Sequence, residues 1–141
     1  MLFDYFRNGV MNALLQGQSF TFPSNLYFAL LTTWPDTDAT GSTIAEPQSG
    51  NGYARQQLNP STSNYANTVG GVSWNQIAQQ FPTPTGGWNT IVGVALVDGN
   101  TTAGGNAYMA GLIGLGAIGA GSQPPTFPAG TIVFELGSRD P

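Results

Sequence analysis

Carboxylates are the main reactive groups of this chain, and the candidates for chemistry are Asp36, Asp38, Glu46, Asp98 and Glu135. Paired carboxylates hydrolyse glycosides when held roughly 5–10 Å apart across a sugar. Asp36-x-Asp38 sets two acids on one side of an extended loop. The same pair offers the hard oxygen ligands that calcium takes, but the D-x-[DN]-x-[DN]-G continuation of a calcium loop is missing. Two turn-forming acids after Pro35 are the simpler reading. Asp98-Gly99-Asn100 reads as a hairpin turn rather than a metal loop. Gly111-x-x-Gly114-x-Gly116 resembles a phosphate cradle, yet neither a helix start nor an acidic ribose partner follows it.

Arg55 stands out among the cations. It follows Tyr53 within an expected strand, and a fixed guanidinium there can clamp a carboxylate bidentately. Glu46 and Asp98 are the candidate partners, either within the chain or across a subunit boundary. Trp34, Trp74 and Trp88 can stack on sugar rings, or fill the core and pin loops. Other chemistry is excluded by composition. The chain has no Cys and no His, and its three cations, Arg7, Arg55 and Arg139, leave it without Lys. Thiol nucleophiles, disulfides, Schiff-base amines and the usual zinc sites are therefore absent. The sequence predicts no catalytic residue, no cofactor and no metal. A net charge of −4 with scattered arginines cannot track a phosphate backbone, which argues against nucleic acid.

The elements that must position these residues are one helix and a series of strands. Phe3, Phe6, Val10 and Leu14 recur at helical spacing and predict a helix over 2–16 with that stripe facing the core. Gly17 suits a left-handed C-cap. Strands are expected over 26–33, 53–58, 88–97, 107–115 and 130–136, with a weaker alternating one over 74–81. Gly114 and Gly116 suggest a bulge. The loops are 35–52 and 59–72, and Pro124 to Pro128 is an extended connector. Six or seven strands behind one helix predict a mainly β, antiparallel sandwich or jelly roll. No break in composition divides the 141 residues, so a single domain is expected: helix 2–16, sandwich about 20–136 and polar tail 137–141.

The surface is unusual. Charged residues make up 7% of the chain, against roughly 25% in ordinary soluble domains. Amides, hydroxyls and glycine replace them, as suits a protein packed against copies of itself or a larger assembly. The acidic N-terminus lacks the basic start of a signal peptide. The apolar run Tyr108 to Ala120, at 13 residues, is short of the roughly 20 that cross a bilayer. It reads as a buried strand pair with a glycine bend. The lack of Cys fits synthesis in a reducing compartment.

Leu26-Tyr27-Phe28-Ala29-Leu30-Leu31-Thr32-Thr33-x-Pro35, followed by Gly50-x-Gly52-Tyr53-Ala54-Arg55, resembles a family of small tailed-bacteriophage structural proteins. Their sequences read like LYVALFTxxP, then a polar loop, then GGGYAR. The resemblance continues through Phe81-Pro82-Thr83, Trp88, Ala95-Leu96-Val97-Asp98 and Phe127-x-Ala129-Gly130, in order and over most of the chain. Members are often labelled tail-fibre proteins. The resemblance implies a β-sandwich made in the host cytoplasm and built into the virion. Capsid cement or decoration is the first reading of its role, with the outer capsid surface as its place. A tail or fibre-attachment protein is the close variant. The major capsid protein or other virion proteins are the expected partners, with a homotrimer or homodimer and no membrane. Phe3, Phe6, Val10, Leu14, Trp34, Tyr53, Arg55 and Trp88 are the structural and interface candidates. A secreted glycan-binding or carboxylate-dependent glycan-processing module is the alternative from a different class.

Overall fold

The computed structural model describes residues 1–136; the expected polar tail, 137–141, lies outside the described residues. Helix α1 spans Asp4–Gln16. It ends where predicted, at Gly17 with φ 66° and its N–H bonded to the Asn12 carbonyl. It starts at Asp4 rather than Leu2 because residues 1–3 extend along a strand. Leu2 pairs with Met109, and the Phe3 N–H donates to the Tyr108 carbonyl at 3.0 Å. Asp4 favours the first turn by its charge.

The main sheet has four antiparallel strands. They are β1 (Tyr27–Leu31), β2 (Gln56–Gln57), β5 (Asn89–Val97) and β6 (Ala107–Ile118), in the order β2-β1-β5-β6. Two short antiparallel ribbons complete the set: β3 (Val72–Trp74) with β8 (Val133–Glu135), and β4 (Gln79–Gln80) with β7 (Thr126–Phe127). The protein is mainly β with one N-terminal helix, as expected, although eight strands rather than six or seven are present among the described residues.

Both faces of β1 are buried, which is why its sequence is a continuous apolar run. On one face Phe28, Leu30 and Leu96 pack with Tyr53, Phe81 and Trp88. The ribbons cover this face: Phe134 of β8 stacks on Phe28 at 5.8 Å, and Phe127 of β7 meets Phe81 edge-on. On the other face Ala29, Ala95, Ala107 and Ala110 keep the surface low, so that Phe3 and Ile44 seat closely against it. A sheet with covered faces is the layered arrangement that the strand pattern predicted.

Three expectations are corrected. Trp74 to Phe81 is not one alternating strand. It splits into the end of β3, a turn, and β4. The cause is Asn75, which is fully buried. Its amide donates to the carbonyls of Ile77 and Pro128 and accepts from the Ile132 N–H, an arrangement a straight strand cannot make. The Pro-rich connector contains a strand, β7. Tyr108 to Ala120 is not a buried pair with a bend; it lies mostly in one long strand, paired with β5, whose distal half mixes exposed residues with the half-buried Ile113, Leu115 and Ile118. Its register against β5 slips between Thr90 and Ile91 and between Ile91 and Gly93, opposite the stretch containing Gly114 and Gly116, where a bulge was expected.

The apolar stripe of α1 is the largest departure. Phe3 and Phe6 are buried, but Val10 and Leu14 are exposed, Leu14 by 74%. The helix turns a different face inward beyond Phe6. A Cβ on Gly9 would lie 2.2 Å from the Phe20 ring, so glycine lets that ring lie directly against the helix backbone. Gly9 and Ala13 therefore line the inner side, and Val10 and Leu14 point outward.

Candidate functional site

Arg55 sits just before β2, at the base of the long loop, and its guanidinium is fully enclosed. Glu46 is the partner, as one of the two candidates predicted. The Arg55 Nη2 donates to Glu46 Oε1 at 2.5 Å, and Nε lies 3.0 Å from Oε2. The remaining donors reach backbone carbonyls: Nη2 to Gly41 at 2.6 Å, Nη1 to Gly99 at 2.8 Å and Nη1 to Gly104 at 2.7 Å. All the N–H groups of the fork are thus occupied. One side chain ties together the 35–52 loop, the segment entering β2, and the 98–106 connection between β5 and β6.

The second oxygen of Glu46 accepts from the Tyr53 hydroxyl at 2.7 Å, and that hydroxyl accepts from the Leu30 N–H at 2.9 Å. The lock is thereby tied to β1 of the main sheet. Burial, reinforced by the charge of Glu46 and the hydrogen bond to it, pushes the Tyr53 phenol well above its ordinary range, so it stays a donor. Trp88 stands edge-on to Tyr53, and its indole N–H donates to the Asn51 carbonyl at 2.8 Å. This fixes the 3-10 turn Ser49–Asn51, which Gly52 closes with φ 80°. Tyr53 and Arg55 then alternate inward while Ala54 faces out. The Gly-x-Gly-Tyr-Ala-Arg run is thus a turn followed by two inward anchors.

Asp98, the other candidate partner of Arg55, does separate work. It accepts from the Asn106 N–H at 2.6 Å and from the Tyr108 hydroxyl at 3.0 Å, closing a connection wider than the expected tight hairpin turn. Burial, and then the bond to Asp98, raise the Tyr108 phenol well above its usual range. Gly99 and Gly105 are needed for this closure. A Cβ on Gly99 would stand 2.3 Å from the Gly104 carbonyl oxygen, and Gly105 has φ +82°. The glycine carbonyls that receive Arg55 were not identified from sequence. The cluster of glycines around Asp98 was their only trace.

The remaining candidates do not join this site. Asp36 and Asp38 are exposed and line a cleft of about 460 Å³ with the half-exposed Trp34 and three threonines. Glu135 lies on β8, apart from them. Among the described residues no three acids gather where they could hold one metal ion. Of the tryptophans, Trp88 fills the core, whereas Trp34 and Trp74 are partly exposed. Phe3 and Phe6 anchor α1, while Val10 and Leu14 stand outside. No helix among the described residues is long and apolar enough to cross a membrane.

Chemically, the Arg55 cluster is a closed lock: each polar group has a partner within the chain, leaving nothing to engage a substrate. What the molecule offers outward is apolar surface at the end of α1 and loops whose exposed acids are Asp36 and Asp38. Compared with family models, residues 2–135 match the podophage GP4 fiber I protein gp80 family. No curated protein matches the chain.

Proposed function

The chain belongs to the podophage GP4 fiber I protein gp80 family, and on that premise we propose that it is a non-enzymatic structural protein of the virion, working in the tail-fibre apparatus. The observation that carries this reading is the family match over nearly the whole chain. The geometry supports it. The ion pair of Arg55 and Glu46 is sealed inside the fold, and the loops it joins are held as a stiff scaffold. A stiff, weakly charged module attached to other virion proteins is what this arrangement serves. The function is then interface free energy rather than turnover. A stable contact buries about 1,200–2,000 Å² in total.

Stoichiometry tests the reading. Quantitative mass spectrometry of purified particles, scaled to the major capsid protein, is expected to give tens of copies or fewer, and antibody labelling is expected at the tail. Hundreds of copies spread over the head would replace the fibre role with capsid decoration. Detection of the protein only outside the particle would remove both.

A further inference from the structure

We propose that the cleft beside Trp34 is a saccharide-binding site, which takes the units of a neutral sugar chain. Trp34, Asp36, Asp38, Thr40 and Thr43 are among the residues that line it. Its volume of about 460 Å³ falls within the roughly 300–1,000 Å³ of small-ligand sites. The aromatic platform is supported from below. A Cβ on Gly93 would stand 3.1 Å from the Trp34 ring, so the bare glycine lets the indole settle on β5. The residue is still 39% exposed, which leaves ring surface for the apolar C–H face of a pyranose. The loop around it is held before any ligand arrives. The Asp4 N–H donates to the Thr37 carbonyl at 2.8 Å, and the Ala39 N–H to the Asp36 carbonyl at 3.2 Å. The Thr32 N–H donates to the Ala45 carbonyl at 2.9 Å, and Arg55 holds the Gly41 carbonyl. The Arg55 lock thereby fixes one wall of the cleft, and a preformed cleft loses little conformational freedom on binding.

The polar groups indicate the ligand. Among the described residues, Asp4 and Glu46 pair with arginines, and Asp98 accepts from Asn106 and Tyr108. Asp36, Asp38 and Glu135 are the acids left over, and the first two share this cleft, exposed and without an ion-pair partner among the described residues. Carboxylates accept strong, charge-assisted hydrogen bonds from hydroxyl groups. The threonine hydroxyls beside them both donate and accept. A ring with hydroxyls along its edge and an apolar face meets the acids, the threonines and the indole together. No cation lines the cleft, so acidic, sulfated or phosphorylated sugars are repelled. A basic peptide would gain little here, because exposed ion pairs contribute little and are screened by salt.

Binding is a property of the cleft alone, so its failure would leave the fibre role standing. The full chain, labelled with nitrogen-15, is titrated by NMR with mono- and disaccharides of glucose, galactose, mannose, rhamnose and N-acetylglucosamine, up to about 50 mM, a range that reaches millimolar affinities. At least one of them should bind saturably, shifting the amides of residues 33–45 and one indole N–H, which disappears in Trp34→Phe. Trp34→Ala should weaken that binding about tenfold through loss of the stacking face. The double substitution Asp36→Asn, Asp38→Asn should weaken it about fivefold by removing the charge-assisted acceptors. Its urea unfolding midpoint should stay that of the wild type, because neither carboxylate is paired within the fold. Glucuronic acid should bind more weakly than glucose, and binding of the neutral sugar should not change with added salt. A set of sugars none of which shifts these residues overturns the proposal, as do shifts centred elsewhere or a double variant that binds like the wild type. So does an oligolysine peptide that binds the cleft where the sugars do not, since the acids would then serve a basic partner.

Discussion

Arg55 and Glu46 show why a buried ion pair is stable only as part of a complete network. Removing two charges from water costs several kcal/mol per ion, and the pair recovers this only where the remaining donors and acceptors are also matched. Here the fork reaches Glu46 and three loop carbonyls, and Glu46 also receives Tyr53. Replacing Arg55 by Met should therefore cost about 3–5 kcal/mol, because it strands a buried carboxylate. Arg55→Lys should recover little, since an ammonium cannot reproduce the fork. The double substitution Arg55→Met, Glu46→Leu should be more stable than Arg55→Met alone, as urea unfolding of all three will show. Tyr53 adds a pH dependence. Its folded pKa is raised above the unfolded value of about 10, so the folded state keeps a proton that the unfolded chain releases. The associated stability is complete below pH 10 and is lost as pH rises from there towards the folded pKa. The loss for this one buried group is about 1.4 kcal/mol per pH unit. Tyr65, pushed by burial up to about 12, acts in the same direction. Unfolding midpoints should fall above pH 10, and Tyr53→Phe should flatten the decline without removing it.

At the scale of elements, α1 shows what periodicity can and cannot tell. Phe3, Phe6, Val10 and Leu14 recur at helical spacing in the sequence, and the helix itself, with its end at Gly17, was legible from them. Which face meets the core was not, because that depends on what packs there. Phe20 comes from the following loop and presses on Gly9, rotating the stripe outward after Phe6. Gly9→Ala makes the conflict measurable. In an exposed helix the change adds about 1 kcal/mol of stability. Here the added methyl meets an aromatic ring, and overpacking of that kind costs typically 1–3 kcal/mol. The expected result is a net loss, turned into a gain when Phe20→Ala is already present; thermal unfolding of the four proteins decides it. The strands divide along the same line. β1 and β5 are dense runs of apolar and β-branched residues, and their identity was plain. β3, β4 and β7 are two or three residues long and are held by partners far along the chain. Asn75 dictates the break between β3 and β4 through bonds to Pro128 and Ile132, which no local pattern announces. The Arg55 site was half legible for the same reason. A carboxylate partner follows from charge scarcity, whereas three glycine carbonyls from two loops follow only from the folded shape.

At the scale of the molecule, charge scarcity separates the means of folding from the means of association. Of the two arginines among the described residues, Arg55 is sealed inside and Arg7 pairs with Asp4 on the surface. The exposed pair contributes little to stability. The whole chain carries a formal net charge of −4, so it feels weak repulsion from an acidic neighbour that it meets through uncharged surface. Salt at physiological strength shortens the range of that repulsion to about 8 Å. Sulfate goes further, favouring burial of apolar surface by its exclusion from the protein. Attachment to other virion proteins through apolar surface should therefore strengthen from low to moderate salt, and strengthen more in sulfate than in chloride at equal ionic strength. A contact made instead by the acids at Asp36 and Asp38 with a basic surface would weaken over the same range. Release of the protein from purified particles across a salt series distinguishes the two by sign alone. If the protein is released more readily as salt rises, apolar surface is not what holds it in the particle.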